Sequence, residues 1–200
     1  MSSLDDSGAI FHYHREMIAV HGSDSSLALG WREAADQQAR FGVLAGMANL
    51  DGCTVLDAGC GYADLLPCLS ARYQISHYCG IELIPELLDE ASKRYGHLTY
   101  TAFISGNFLS RQLPAADYVL ASGSLNYGSS DPAFIYKAIS KLFGACTCGL
   151  VFNLLKTVPK NGCLVAYEPD DILAYCRTLS GKIVFKADYA EEDFTVLIQR

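Results

Sequence analysis

From about Cys53 onward, short apolar runs alternate with stretches of helical character, and this alternation constrains the fold more than any other feature of the sequence. Strands are predicted at "TVLDA", "HYCGIE", "LTYTAFI", "DYVLAS" and "GLVFNLL". Between them, apolar spacing, prolines and acidic residues predict helices at "DLLPCLSARY", from Pro85, in "SSDPAFIYKAISKLFG" and from Pro169. The pattern is typical of α/β proteins with a doubly wound, mostly parallel sheet and helices on both faces.

The two ends of the chain complete this prediction. "KIVFKADY" and "DFTVLIQR" are separated only by "AEE", so they must form an antiparallel hairpin, because a parallel crossover needs about a dozen residues or more. Two further strands bring the sheet to seven. Residues 10–50 look mostly helical and are expected to cap one end of the sheet. We therefore expect a single domain over residues 1–200, with an N-terminal helical cap at 1–50 and an α/β core at 51–200.

Composition narrows the class of partner. Half of the residues are hydrophobic and 18% are charged, which suits a globular protein. Acids outnumber bases 22 to 15, for a net charge of -7, and "KTVPK" is the one mildly basic loop. This balance disfavours nucleic-acid and membrane-surface partners, which are normally met by clustered Lys and Arg. No apolar run has the length of a membrane span, and "MSSLDDSGAIFHYH" does not resemble a signal peptide, so a cytoplasmic protein is expected.

The eight cysteines are scattered and contain no C-x-x-C pair. Most lie in apolar contexts, where free cysteine behaves as a small buried hydrophobe. Without an export signal disulfides are not expected. A structural role is the favoured interpretation, with zinc or thiol chemistry as the alternative.

The stretch "TVLDAGCGYADLL" points to a ligand site. Asp57, Gly59 and Gly61 lie where the first strand meets the first helix, and ligands of open α/β sheets bind beyond the carboxyl ends of the strands. Glu82 ends the second strand, at the spacing of about 20 residues typical of a carboxylate that binds ribose hydroxyls. The nicotinamide fingerprint G-x-G-x-x-G has Asp64 in its last position here. Acids at 57 and 64 suit a cationic ligand better than a pyrophosphate.

"VLDAGCGYADLL" followed by "GIEL" resembles the class I, Rossmann-like S-adenosylmethionine-dependent methyltransferases, from residue 50 to the end of the chain. The resemblance implies a seven-stranded sheet that closes with a hairpin, and S-adenosyl-L-methionine as cofactor. It implies that Asp57 and the glycines hold the methionine end, Glu82 the ribose, Asn107 and the backbone near Phe108 the adenine, and that Ser122 lies near the methyl group. The implied cofactor-binding set is Asp57, Gly59, Cys60, Gly61, Glu82, Leu83, Asn107, Phe108 and Ser122.

The chain departs from the family pattern at two positions. Ala63 replaces a third glycine, and Asn107 replaces the usual acid, although its side-chain carbonyl can still accept a hydrogen bond from the adenine amino group. Trp31, Tyr13 and Tyr62 could contact the sulfonium by cation–π interaction or could simply pack in the core or cap.

Methyl transfer from a sulfonium needs positioning and sometimes a base, so neither a triad nor a metal is required. A small-molecule acceptor is expected between the cap, the "SLNYGSS" loop and "KTVPKNGCLVAYEPD", with Tyr127, Glu168 and Asp170 as polar candidates. His12 and His14 form an H-x-H that could be a base, a metal site or ordinary packing. The candidate catalytic residues are Tyr127, His14 and Glu168, and no metal is expected.

Two alternatives to a methyltransferase stay open from the sequence. One is a nicotinamide-dependent oxidoreductase, which Gly59 and Gly61 permit and Asp64 opposes. The other is a non-catalytic nucleoside-binding subunit, since nothing in the short cap demonstrates an acceptor pocket. The oligomeric state is not readable from the sequence.

Overall fold

A computed structural model describes residues 3–23, 25–31, 33–158 and 162–200. The cap consists of two α-helices with one turn of 3₁₀-helix (Ser26–Leu29) between them. The remaining elements alternate as predicted. The helices are α1 (Ser3–His21), α2 (Ala34–Ala45), α3 (Leu65–Ser70), α4 (Pro85–Tyr95), α5 (Phe134–Ala145) and α6 (Pro169–Leu179). The strands are β1 (Thr54–Ala58), β2 (His77–Glu82), β3 (Thr101–Ser105), β4 (Ala116–Ala121), β5 (Cys146–Leu155), β6 (Ile183–Lys186) and β7 (Asp193–Gln199).

The seven strands of the described residues form one sheet in the order β3-β2-β1-β4-β5-β7-β6. The first five strands pair in parallel, and β7 runs antiparallel between β5 and β6. The predicted fold class, including the C-terminal hairpin, is confirmed. Because the chain moves outward from β1 to β3 and then returns to β4 on the other side, the strand order reverses next to β1. In sheets of this kind the ligand cleft lies at that reversal.

Alternate residues of each strand pack on opposite faces of the sheet, as pleating requires. Leu56 of β1 belongs to the core beneath α5 and α6, whereas Val55 packs against α2 and α3 on the other face. The central strands are therefore buried on both sides, which explains why they read as continuous apolar runs.

Helix α5 begins later than the sequence predicts. In "SSDPAFIYKAISKLFG" the sequence itself predicts Ser130 or Asp131 as the N-cap and Pro132 in the first turn, but the helix starts at Phe134. The Asp131 side chain accepts a hydrogen bond from the backbone N–H of Ala133 at 2.9 Å. It thus stabilises a turn ahead of the helix, as Asx side chains commonly do.

Helix α1 lies across the carboxyl ends of the strands and is attached there by polar contacts. Asp6 accepts hydrogen bonds from Ser129 and Ser130 in the loop after β4. Arg15, further along α1, forms an ion pair with Glu86 of α4 at 2.9 Å. The cap therefore covers the edge of the sheet where a ligand would bind. Among the described residues, no helix has the length and apolarity needed to cross a bilayer.

Candidate active site

The turn after β1 needs its glycines for conformation and for space. Gly59 has φ of 78° and Gly61 has φ of 55°, both in the left-handed region that favours glycine. A Cβ on Gly59 would lie 2.3 Å from Cβ of Ser124, and one on Gly61 would lie 2.9 Å from Cδ2 of Leu29. The protein's own side chains, Ser124 and Leu29, thus occupy the space beside these two glycines, independently of any ligand. Ala63, where the family has a third glycine, is also left-handed, with φ of 58°.

The Glu82 carboxylate joins the tips of two strands. Its Oε2 accepts a hydrogen bond from the Gly61 N–H at 2.9 Å, and its Oε1 accepts one from the Ile84 N–H at 2.8 Å. Burial raises the pKa of Glu82, and these backbone N–H groups act in the opposite direction. A carboxylate oxygen has two acceptor positions, so each can still accept a ribose hydroxyl.

Asp57 is buried at the tip of β1 and is only 2% exposed. Burial raises its pKa to about 7, although the Tyr78 hydroxyl donates a hydrogen bond to Oδ2 at 2.6 Å and favours the charged form; nearby Glu82 adds to the rise. A carboxylate that is costly to ionise in this way gains from a cationic ligand.

The nine cofactor-binding residues predicted from the sequence all line one cleft. They come from the ends of β1, β2, β3 and β4. These four strands are neighbours in the sheet, where their order is β3-β2-β1-β4. The cleft, including the space at its open mouth, spans about 950 Å³. Within it, Oδ1 of Asn107 accepts a hydrogen bond from the Leu109 N–H at 2.8 Å, and Oγ of Ser122 accepts one from Asn153.

The catalytic candidates separate into two groups. His14 and Tyr127 line the cleft, and Nε2 of His14 lies 2.7 Å from the Tyr127 hydroxyl. Glu168, in contrast, is the exposed N-cap of α6, outside the cleft lining. Asp170 is an exposed residue in the first turn of the same helix. His12 is exposed and pairs with Glu16, so the two histidines of the H-x-H do not act together.

The three aromatic candidates for sulfonium contact also differ. Trp31 lines the cleft, and the Arg40 guanidinium lies 4.6 Å from the centre of its ring. Tyr62 is fully buried and the Arg94 guanidinium lies 4.7 Å from the centre of its ring, an arrangement that fits the packing alternative. Tyr13 lines a second pocket.

This second pocket is smaller, about 350 Å³, and lies beside the first. Its wall comes from the ends of β4 and β5, the cap and Leu164. The "SLNYGSS" loop reaches it directly, because Tyr127 forms a β-bridge with Leu164. The bridge joins the two segments expected to handle the acceptor; residues 159–161 of the second segment, including part of "KTVPK", are outside the described residues.

Sequence reasoning missed two residues that contact the site. Tyr78 is part of an apolar run that predicts only a buried strand, yet its hydroxyl donates a hydrogen bond to Asp57. Gln37 of α2 is buried in the cleft wall, and its side-chain Nε2 donates a hydrogen bond to Oδ2 of Asp64 at 3.4 Å. A polar residue at a buried helix position is the signal that could have identified Gln37.

Comparison with known proteins shows the family. The family model described as "Methyltransferase domain" matches residues 55–149. A Mycobacterium tuberculosis protein named as a methyltransferase, Rv1506c, is 30% identical over 160 residues, which cover 75% of this chain and 95% of that protein. The chain belongs to the methyltransferase family. The class recognised from the sequence, the S-adenosylmethionine-dependent enzymes, and the methyl donor that this class uses are thereby confirmed.

Solved methyltransferase structures have the same fold as this methyltransferase. Magnesium protoporphyrin IX methyltransferase from Synechocystis, crystallised with S-adenosylhomocysteine, superposes with a TM-score of 0.70 at 15% identity, covering 96% of this chain and 98% of that one. The N-methyltransferase NodS from Bradyrhizobium japonicum, also with S-adenosylhomocysteine, gives 0.69 at 12% identity with the same coverage. At these identities the likeness shows the fold alone. The comparisons give no support to a nicotinamide oxidoreductase or a non-catalytic subunit.

Proposed function

We propose that this methyltransferase binds S-adenosylmethionine in the larger cleft and transfers its methyl group to a small-molecule acceptor. One observation carries the proposal: Asp57, Glu82, Asn107 and Ser122, from four strand ends, line a single cleft. Methyl transfer is an in-line displacement in which the cofactor brings the leaving group. The protein's contribution is to hold donor and acceptor in line.

In this proposal the charges along the cleft set the direction of the cofactor. Glu82, at the tip of β2, receives the ribose hydroxyls, and Asp57, at the tip of β1, stabilises the cationic methionine end. Asn107 and Phe108, beyond β3, take the adenine. The sulfur then points away from β2, towards Ser122 at the end of β4. Sheet order supports this arrangement, because β3, β2, β1 and β4 are neighbours in that sequence.

The acceptor is proposed to be small because the cap narrows the site. Ile10 and His14 of α1 line the cleft, and Leu29 and Trp31 lie against both pockets. The relatives with solved structures include a methyltransferase for magnesium protoporphyrin IX, a small molecule. The proposal keeps the other expectations from the sequence as predictions: a single domain with a cap at 1–50, no nucleic-acid partner, and a cytoplasmic location.

Titration calorimetry with S-adenosylmethionine and S-adenosylhomocysteine tests the cofactor site. Glu82→Gln removes the negative charge but keeps a carbonyl acceptor, and Glu82→Ala removes both. Two hydrogen bonds to a charged acceptor, at about 1.5 kcal/mol each, predict a loss of about 100-fold in affinity for Glu82→Ala. Glu82→Gln should lie between this variant and the wild type.

Asp89→Ala is the matched control, because this exposed acid of α4 lies outside the cleft lining. It should bind both ligands like the wild type. Circular dichroism of each variant separates weakened binding from loss of folding. Absence of heat with either ligand in the wild type, or unchanged binding by folded Glu82→Ala, would contradict the proposal.

A further inference from the structure

The two pockets meet at a shared wall. Leu29, Trp31, Gly123 and Tyr127 line both of them. The larger cleft extends over the ends of β1, β2 and β3, whereas the smaller one extends towards Leu155 at the end of β5. A cofactor whose sulfur points towards β4 therefore directs its methyl group at the smaller pocket.

Building on the proposed function, we propose that the smaller pocket binds an uncharged aromatic hydroxyl compound, and that its hydroxyl proton passes through Tyr127 to His14. The inference combines the chemistry of the pocket wall with the hydrogen bonds of these two residues. It assigns the acceptor class and the route of the proton.

The wall of the smaller pocket suits a flat, neutral molecule. Tyr13, Trp31 and Tyr127 supply aromatic surface, and the remainder comes from three leucines, two glycines, Asn126 and Arg40. Arg40 is the one charged side chain in the wall, and it already forms an ion pair with Asp193 while stacking on Trp31. Its charge is compensated, so it does not select an anion. The pocket, including the space at its open mouth, spans about 350 Å³.

Hydrogen bonding determines where the protons of the relay lie. Nδ1 of His14 is 3.2 Å from the carbonyl oxygen of Ala28, which can only accept, so Nδ1 carries the hydrogen. In the neutral ring Nε2 is then an acceptor, and the Tyr127 hydroxyl donates to it at 2.7 Å. The Tyr127 oxygen still has lone pairs with which to accept a hydrogen bond from an acceptor hydroxyl.

The transfer balances in atoms and charge. The hydroxyl oxygen attacks the methyl carbon, a C–O bond forms and the C–S bond breaks. The hydroxyl proton moves to the Tyr127 oxygen as the Tyr127 proton moves to Nε2 of His14. The products are the methyl ether, neutral S-adenosylhomocysteine and the His14 imidazolium, which takes over the positive charge of the sulfonium and later releases its proton to solvent.

The surroundings of His14 keep it ready to accept a proton. Its pKa is lowered by burial, with the Ala28 carbonyl acting in the opposite direction. Among the described residues, the titratable groups whose charges act on Tyr127 are Tyr13, Cys163 and Glu82, and none of them is a cation. The Ala28 carbonyl, 3.2 Å from Nδ1, favours the imidazolium once it forms.

The test uses two phenols that differ in acidity. 4-Ethylphenol, with a tyrosine-like pKa of about 10, needs a base, whereas 4-nitrophenol is already ionised in mildly alkaline buffer. We expect His14→Gln to lower kcat for 4-ethylphenol by about 100-fold or more, the range of general-base catalysis, and to keep most of the rate for 4-nitrophenol. Tyr127→Phe should also lose the reaction with 4-ethylphenol. In the wild type, kcat for 4-ethylphenol should rise with pH through the His14 pKa, and His14→Gln should lack this rise.

His12→Gln is the control, since His12 lies on the same helix but is exposed and paired with Glu16. Equal losses with both phenols in His14→Gln would show a purely structural role and overturn the relay. Methylation of 4-ethylaniline but of neither phenol, or of none of the three, would overturn the acceptor class. In each case S-adenosylhomocysteine binding is measured in parallel: intact binding leaves the proposed function standing, while absent binding means that the proposed function itself fails.

Discussion

The buried carboxylate of Asp57 provides a quantitative test of the site's electrostatics. Its pKa rises from 3.8 to about 7, mainly through burial. A carboxyl group whose pKa is raised by folding binds its proton more tightly in the folded chain than in the unfolded one. The free energy of unfolding therefore decreases as the pH rises from the unfolded pKa of 3.8 to the folded pKa of about 7. At about 1.4 kcal/mol for each pH unit, ionised Asp57 costs the fold about 4 kcal/mol above pH 7.

Asp57→Asn removes this cost and keeps an oxygen that can accept the hydrogen bond from Tyr78. The new amide group must be buried, which costs about 1–3 kcal/mol at every pH. The diagnostic quantity is therefore the pH dependence of the difference between variant and wild type. Linkage between pH 5 and pH 8 predicts that the variant gains about 2.5 kcal/mol in free energy of unfolding relative to the wild type.

Urea denaturation at a series of pH values measures this difference. Asp89→Asn removes a carboxylate from the exposed face of α4 and should show no comparable trend. A difference between Asp57→Asn and wild type that is constant from pH 5 to pH 8 would refute the reasoning, because Asp57 would then ionise as easily in the folded chain as in the unfolded one.

Three further predictions concern the same cleft. Cofactor binding near pH 7 should release a proton from Asp57, because a nearby cation favours the carboxylate; calorimetry in two buffers of different ionisation enthalpy should give different heats, and equal heats would contradict this. Tyr78→Phe removes the 2.6 Å hydrogen bond to Asp57, so the pKa of Asp57 should rise further. Cofactor affinity should then fall more at pH 6 than at pH 8, and a loss of affinity independent of pH would contradict this prediction. Gly59→Ala should destabilise the fold by about 2–5 kcal/mol, from left-handed strain and overpacking against Ser124, as measured by urea denaturation. Adding Ser124→Gly should recover part of this loss, and no recovery would rule out the overpacking.

The fold could be predicted from the sequence where local signals coincide. β1 and β2 match their predicted bounds, because each apolar run ends at the strand tip, beside Asp57 and at Glu82 respectively. The hairpin followed from a connection too short for any other topology. The start of α5 could not be predicted in this way, because the Asp131 side chain can stabilise either a helix start or a turn, and only packing decides between them.

The convergence of the predicted cofactor-binding residues on one cleft could be inferred from the sequence, whereas the contact between His14 and Tyr127 could not. The residues predicted to bind the cofactor follow strands whose order can be inferred, so their convergence at one edge follows from topology. His14 and Tyr127 are 113 residues apart, and no spacing rule relates a cap helix to a loop after β4. For Tyr62 the sequence left ligand contact and packing open, because only the fold brings Arg94 over its ring.

The shared wall between the two pockets has a consequence for how enzymes of this design can diversify. The proposed donor site is built from strand tips in the middle of the chain, while Tyr13, Leu29 and Trp31, upstream of the sheet, line the pocket proposed for the acceptor. In this arrangement, substitutions in the first forty residues can change substrate preference without altering the strand ends proposed to bind the adenosyl group. Exchanging that segment between related enzymes is a modular route to new methylation products.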